Sequence, residues 1–261
     1  MAASGVFVVH TSIPAAVSAC NGADCGDADG DGLVDAWENL VLERVRPRIE
    51  FDEQEQLLGD PEGNVGQIAR VTRKGADVLV FIILAYSKDY GSCGFSGHNG
   101  DNERVVLQLS IATNGSDAKV TKVYTAAHEG SPADDRHIYA DEAALAKELL
   151  FVTENGQPRW LVLASRDKHA TYANDATCAA HSSVPCLLEN CTANDVENVD
   201  SFRRLPHVVN AGEPNKHLND DLGSIGFPGE TAWSTDTFCG GLGSGSECAG
   251  GNADKLTSDP F

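Results

Sequence analysis

Apolar and polar residues alternate along VGQIARVTR (65–73), which predicts a strand. ADVLVFIILAYS (76–87) is apolar almost throughout and reads as a strand buried on both faces. ERVVLQLSIA (103–112) and AKVTKVYTAAH (118–128) flank TNGSD, a hairpin signal. PRWLVLASRDKHATY (158–172) is a further strand running into a loop. Helical patterning is scarcer. DAWENLVLERVR (35–46) predicts one short helix, and EAALAKELLFVTEN (142–155) has room for another, with PRIEFDEQEQLL (47–58) between them. Residues 174–200 are rich in Cys, Asn and Asp and read as a disulfide-tied loop, while 212–261 is Gly-rich and loop-like. No internal repeat is present. Short strands, hairpin turns and few helices predict a mainly β fold: an antiparallel β-sandwich with a few short helices and long disulfide-tied loops. The expected division is an N-terminal segment, 1–46, and a sandwich domain with a Gly-rich tail, 47–261.

Charge narrows the function. Asp and Glu number 39 against 19 Lys and Arg, a formal charge of −20. A field of that sign repels nucleic acid and anionic headgroups. RVRPR (44–48) is the densest basic stretch and is short. The longest apolar run, VLVFIILAY (78–86), is too short to cross a bilayer as a helix. The expectation is a protein with at most peripheral membrane contact and no nucleic-acid partner.

The eight cysteines (Cys20, Cys25, Cys93, Cys178, Cys186, Cys191, Cys239, Cys248) show no paired C-x-x-C or C-x-x-H spacing of a zinc site. Disulfides, and hence a secreted, extracellular protein, are the expectation. Cys20–Cys25 and Cys239–Cys248 are the local pairings; one of Cys178, Cys186 and Cys191 is left for Cys93. The N-terminal MAASGVFVVH lacks the charged n-region and apolar core of a signal peptide.

DADGDGLVDAWE (27–38) places four aspartates and a glutamate in twelve residues. Asp27, Asp29 and Asp31 fall at positions 1, 3 and 5 of an EF-hand loop, Gly32 at the turning position 6, the Leu33 carbonyl at 7, Asp35 at 9 and Glu38 at 12. That is the ligand set of a Ca²⁺ ion. CNGADCG precedes the loop, so no helix enters it. The expectation is a stand-alone calcium loop that clips structure rather than a paired sensor hand.

The densest polar cluster elsewhere is KDYGSCGFSGHNGDNERVV (88–106). Asp101 and Glu103 project to one face of a strand, because side chains alternate. His98 precedes them, and Asp89 ends the previous strand. Three carboxylates and an imidazole suit a hard divalent cation, Ca²⁺, Mg²⁺ or Mn²⁺, or a general acid and base. A loop tied by hydrogen bonds is the plainer alternative. His137, His181, His207 and His217 show no comparable company. No G-x-S-x-G elbow or phosphate-binding glycine loop is present.

GHNGDNE resembles the GHRHDWE heptapeptide of the necrosis-inducing, cytolysin-like proteins of oomycetes, fungi and bacteria. Lys88-Asp89 resembles a KD pair just upstream in that family. VYTAAHEG (123–130) is similar to its S-x-H-G strand, with His128 at the histidine. RWLVLASRDKHATY (159–172) is similar to a later strand ending in a histidine, here His169, and DDLGSIGFPGETAW (220–233) resembles a Trp-rich loop. GDNERV and KHATY also fit the related vacuolar-sorting-like β-sandwich family. The resemblance spans roughly residues 78–235. It implies a β-sandwich whose acidic cavity holds a divalent cation near Asp89, His98, Asp101 and Glu103, with His128 and His169 as ligand-binding residues. It also implies recognition of a glycolipid sugar headgroup and cation-dependent membrane damage. Asn99-Gly100 replaces Arg-His and Asn102 replaces Trp, so the cation ligands are retained while bulky and basic residues are lost. The expected function is recognition of a glycan or glycolipid headgroup. The alternative is a metal-dependent hydrolase or polysaccharide lyase with Glu103 or His169 as catalytic base.

Overall fold

A computed structural model describes residues 7–22, 25–61, 63, 65–91, 97–112, 117–129, 134–180, 193–197, 208–210 and 255–261. Its elements in chain order are β1 (Val8–His10), α1 (Asp35–Val45), β2 (Arg48–Asp52), α2 (Gln56–Gly59), β3 (Val65–Lys74), β4 (Asp77–Asp89) and β5 (His98–Ile111). Then follow β6 (Asp117–Ala127), β7 (Asp135–Tyr139), α3 (Glu142–Glu148), β8 (Leu150–Glu154), β9 (Gln157–Ala164), β10 (Thr171–Tyr172), α4 (Asp175–Ala179), β11 (Ala193–Glu197) and β12 (Val208–Asn210).

Two sheets face each other. The larger has strand order β1-β6-β5-β4-β3-β12, with β7 also on β6; the smaller has order β10-β9-β2-β11, with β8 also on β9. Val80, Ile82, Leu84, Val105 and Leu107 of the first sheet share one core with Ile49, Phe51, Trp160 and Val162 of the second. Helix α1 adds Trp37, Val41 and Val45 to that core, all fully buried. β4 is buried on both faces, Phe81 and Ile83 lying opposite Val80 and Ile82, as its unbroken apolar run requires.

The mainly β fold agrees with the sequence pattern, and most pairings are antiparallel. Two are not: β2 runs parallel to β9, and β12 parallel to β3. Residues 142–155 do not form one helix. α3 stops at Glu148 and β8 begins at Leu150; the β-branched and aromatic FVT that follows fits a strand against β9 better than another helical turn. The stretch from 174 holds a helix, α4, and a strand, β11. The hairpin turn at 113–116 and most of the Gly-rich tail lie outside the described residues.

The N-terminal segment is built into the same core. β1 pairs with β6, Ala16 bridges Leu33, and Val9, Leu33 and Val34 are buried with the sandwich residues. Cys20 and Cys25 are joined in a disulfide. Cys178 is also disulfide-bonded; the expected pairings of Cys93, Cys239 and Cys248 lie outside the described residues. No helix among the described residues is long and apolar enough to cross a membrane.

Candidate functional site

The acidic loop gathers three of the five carboxylates expected of it, those of Asp27, Asp29 and Asp31; Asp35 and Glu38 stand outside that group. Carboxylate oxygens of Asp27, Asp29 and Asp31 all lie within 4.8 Å of one another. Asp27 accepts from the backbone N–H of Gly30 (2.8 Å) and Gly32 (3.0 Å), wrapping the turn around its own carboxylate. Gly32 takes φ 88°, a left-handed value that glycine adopts without strain. Leu33 buries its side chain in the core while its N–H donates to Asp31 Oδ1 (2.7 Å). Asp35 begins α1 and accepts from the Ala28 N–H (3.0 Å), and Glu38 is buried in the first helical turn. Burial, the charge of Asp31 and, more weakly, that of Asp27 raise the Asp29 carboxyl above its usual range. Oxygen donors alone, crowded around one point, fit a hard cation.

The second cluster is built on the β4–β5 ladder. Its register sets Asp101 beside Tyr86, Glu103 beside Leu84 and His98 beside Asp89. Tyr86 and Leu84 both point into the shared core, so Asp101 and Glu103 stand on the inward face, as strand alternation predicts. His169 meets them from the turn between β9 and β10. It is fully buried, its ring stacks on Tyr86 with centroids 4.1 Å apart, and its Nδ1 lies 3.2 Å from Asp101 Oδ2. Its Nε2 lies 3.4 Å from Glu55 Oε1, an ion-pair distance that is long for a hydrogen bond. Burial works against an imidazolium here, but the hydrogen bonds and charges of Asp101 and Glu55 outweigh it and push the ring up to about 10.

Glu103 is buried too. Its Oε1 accepts from the His128 N–H at 3.3 Å, while its Oε2 has no hydrogen-bond partner among the described residues. Burial pushes its carboxyl up to about 8; the Asp101 charge adds to this, while Lys255 and His128 oppose it. His128 thus meets Glu103 through its backbone, at a positive φ of 54°. Asp89 is buried and accepts from the Gly91 N–H. His98 enters β5 opposite Asp89; its side chain lies outside the described residues. Asp89, Asp101 and Glu103 do not bring three ligand atoms as close together as the loop aspartates do, among the described residues.

Two members of the site were not evident in the sequence. Glu55 lies in EQEQLL, an unremarkable acidic turn, and shows itself only by capping α2 and facing His169. Lys255 lies far along the chain and donates to the Asn102 carbonyl at 2.5 Å. A cavity of about 510 Å³ opens near this ladder, lined by Arg104, Tyr124, Glu129, Arg136, Ile138 and Lys255 among others. It is mixed in charge and not lined by Asp101 or Glu103, so it is not the acidic cavity expected from the sequence. Arg104 and Glu129 pair across it at 2.5 Å.

No family model matches the chain, and no curated protein matches it. Solved structures do. NLPPya in complex with glucosamine is 13% identical, with 72% of this chain and 80% of that one covered and a TM-score of 0.38. NLPPya in complex with mannosamine is 13% identical, with 73% and 82% covered and a TM-score of 0.37. A structure described as a toxin fold for microbial attack and plant defense is 14% identical, with 87% and 90% covered and a TM-score of 0.38. These superpositions are loose, and the site stands on this chain's own geometry.

Proposed function

We propose that the chain is a secreted, divalent-cation-binding β-sandwich protein of the necrosis-inducing, cytolysin-like superfamily, and that it recognises the sugar headgroup of a glycan or glycolipid. The observation that carries the reading is Glu103: a buried carboxylate with one oxygen lacking a hydrogen-bond partner among the described residues, on the same inward face as Asp101. Leaving such an oxygen unpartnered costs about 1–3 kcal/mol, and a cation removes the cost. A bound divalent cation supplies local positive charge that carboxylates and sugar hydroxyls can share. Asp101 and Glu103 are the residues that would hold it, with Asp89 and His98 flanking. His169 holds Asp101 in place, and the His128 N–H holds Glu103. The motif order KD, GHNGDNE, VYTAAHEG and KHATY supports the same reading. A separate Ca²⁺ in the 27–38 loop would be held by Asp27, Asp29, Asp31, the Leu33 carbonyl, Asp35 and Glu38.

The test is metal content per chain, by elemental analysis after dialysis against traces of Ca²⁺ and Mg²⁺, for wild type and Glu103→Gln. Two ions falling to one support a loop site and a ladder site. One ion in both proteins overturns the ladder site. Leakage of vesicles carrying glycosylated sphingolipid then tests the headgroup, with plain phosphatidylcholine vesicles as the control.

One observation favours a second reading. A carboxyl raised to about 8 is protonated at neutral pH when no cation is present, which suits a general acid in a hydrolase or lyase. Turnover on a polysaccharide panel, lost in Glu103→Gln, would replace binding by catalysis.

A further inference from the structure

We infer that Glu55 is a positioning residue: from the β2–α2 turn it holds both the backbone and the imidazole of the His169 turn, and through His169 it fixes the Asp101 carboxylate on β5. The part of this that concerns a cation rests on the function proposed above; the part that concerns His169 does not.

Glu55 is buried and spends its two oxygens on three partners. Oε1 caps α2 by accepting from the Leu57 N–H at 2.9 Å and faces His169 Nε2 at 3.4 Å. Oε2 accepts from the Asp167 N–H at 2.7 Å. Gln56 reinforces the grip: its N–H and side-chain amide donate to the Asp167 carboxylate at 3.1 and 2.9 Å. The Asp167 carbonyl in turn accepts from the Tyr90 N–H at 2.9 Å, which ties the turn to the end of β4 beside Asp89.

The turn needs such a hold. Asp167 and His169 both adopt left-handed backbone, at φ 65° and 57°, a conformation that residues with a Cβ take only where their surroundings impose it. It is closed by the His169 N–H donating to the Ser165 carbonyl (2.9 Å) and the Ser165 N–H donating to the Ala170 carbonyl (3.0 Å). In this shape the ring lies flat on Tyr86 with one nitrogen toward Glu55 and the other toward Asp101. Nδ1 is within hydrogen-bond reach of Asp101 Oδ2, while Nε2 faces the Glu55 carboxylate at ion-pair distance and makes no hydrogen bond among the described residues. Both ring nitrogens are thus turned toward carboxylates of the chain. His169 orients Asp101 Oδ2, the Asn102 N–H donates to Oδ1 at 2.8 Å, and Asp101 is the group turned toward any cation. A carboxylate–imidazole–carboxylate chain of this kind acts as an outer layer around a cation site.

The experiment uses the full chain with ¹⁵N-labelled histidine. Ring-nitrogen resonances of His169 are recorded at neutral pH, and Mn²⁺, Mg²⁺ and Ca²⁺ are each titrated calorimetrically. In wild type both ring nitrogens are expected in the protonated range. In Glu55→Gln the Nε2 resonance is expected to move to the unprotonated range, because a neutral amide no longer offsets the charge of a doubly protonated ring, and cation affinity outside the 27–38 loop is expected to fall about 10- to 100-fold. Should the glutamine variant not fold, Glu55→Asp keeps a good helix cap but withdraws the carboxylate from the ring, and the same resonance is read in it. Gln56→Ala, which touches Asp167 but not the imidazole, is expected to leave Nε2 in place. An unchanged Nε2 resonance in a folded Glu55 variant overturns the inference, whatever the cation does. A shifted resonance with unchanged cation affinity overturns its second half. A wild type that binds no cation on the ladder defeats the proposed function, while the resonance still decides the role of Glu55.

Discussion

His169 Nδ1 lies 3.2 Å from Asp101 Oδ2, across 68 positions of sequence. The contact joins the turn after β9 to the Asp89–His98 end of the β4–β5 ladder, and it holds the imidazole where no solvent reaches. The raised value, about 10 against 6.5, sets a sign. Stabilisation from this pair is complete below pH 6.5 and is lost as pH rises from 6.5 through 10, because the folded ring keeps a proton that the unfolded chain gives up. The melting temperature is expected to fall across that window. In Asp101→Asn the fall is expected to be shallower, and the protein about 1.5–3 kcal/mol less stable at pH 6, the worth of a hydrogen bond to a charged group. Denaturant unfolding of both proteins at pH 6, 8 and 10 checks this.

Glu103 has the opposite chemistry and overlaps the same range. Its carboxyl is raised from 4.5 to about 8, so between these values the folded state holds a proton that the unfolded state has lost, and stability falls as pH rises. In chelator, wild type is expected to lose stability from pH 4.5 to 8, and Glu103→Gln to lose less. Saturating Mg²⁺ or Ca²⁺ is expected to flatten the wild-type slope, because a cation favours the charged carboxylate. A wild-type slope indifferent to every divalent cation would show that Glu103 holds none.

The sequence shows the ladder better than what surrounds it. Alternation and apolar runs suffice to place β3 to β6, because each strand must bury one face or two. The 27–38 loop is readable residue by residue, since its donors are consecutive in the chain. Asp101 and Glu103 share a face by local alternation alone. Glu55 and Lys255 could not be found in this way. Their roles depend on the β9–β10 turn meeting the start of α2 and on the chain returning near its end, contacts of long sequence separation that leave no local periodicity. The parallel β2–β9 pairing was hidden for the same reason: over a hundred residues separate its strands.

The Cys20–Cys25 disulfide spans five positions, so it restrains little of the unfolded chain. A loop that short is worth roughly 2 kcal/mol. Its position gives it a second effect, because Asp27 begins the acidic loop two residues later. The Cys20→Ser, Cys25→Ser double variant is expected to lose about that much stability in chelator and to bind Ca²⁺ more weakly than wild type. Chemical unfolding and calcium titration of the pair give both numbers.

The loop aspartates are expected to differ from one another. Asp31 Oδ2 accepts from the Arg73 N–H of β3 at 2.8 Å, while the neighbouring Val17 N–H donates to the Gly32 carbonyl and the Val34 N–H to the Ala15 carbonyl at 3.2 and 3.0 Å. The loop is therefore stitched to β3 on one side and to the N-terminal segment on the other. Among the described residues Asp29 makes no hydrogen bond to β3; it accepts locally from the Asp31 N–H at 3.3 Å. Calcium bound only to the folded state stabilises it by about 2.7 kcal/mol at a hundred times the Kd. Asp29→Ala is expected to lose that increment and to match wild type, or slightly exceed it, in chelator, because removing one of three crowded charges relieves repulsion. Asp31→Ala is expected to lose the increment and also about 0.5–1.5 kcal/mol in chelator, the net worth of the solvent-exposed hydrogen bond to β3 that goes with it. Melting curves of the three proteins with EDTA and with Ca²⁺ separate the two effects. Equal losses for both variants in chelator would mean that the Arg73 contact contributes nothing, and an unchanged response to Ca²⁺ in Asp29→Ala would remove the loop as a calcium site.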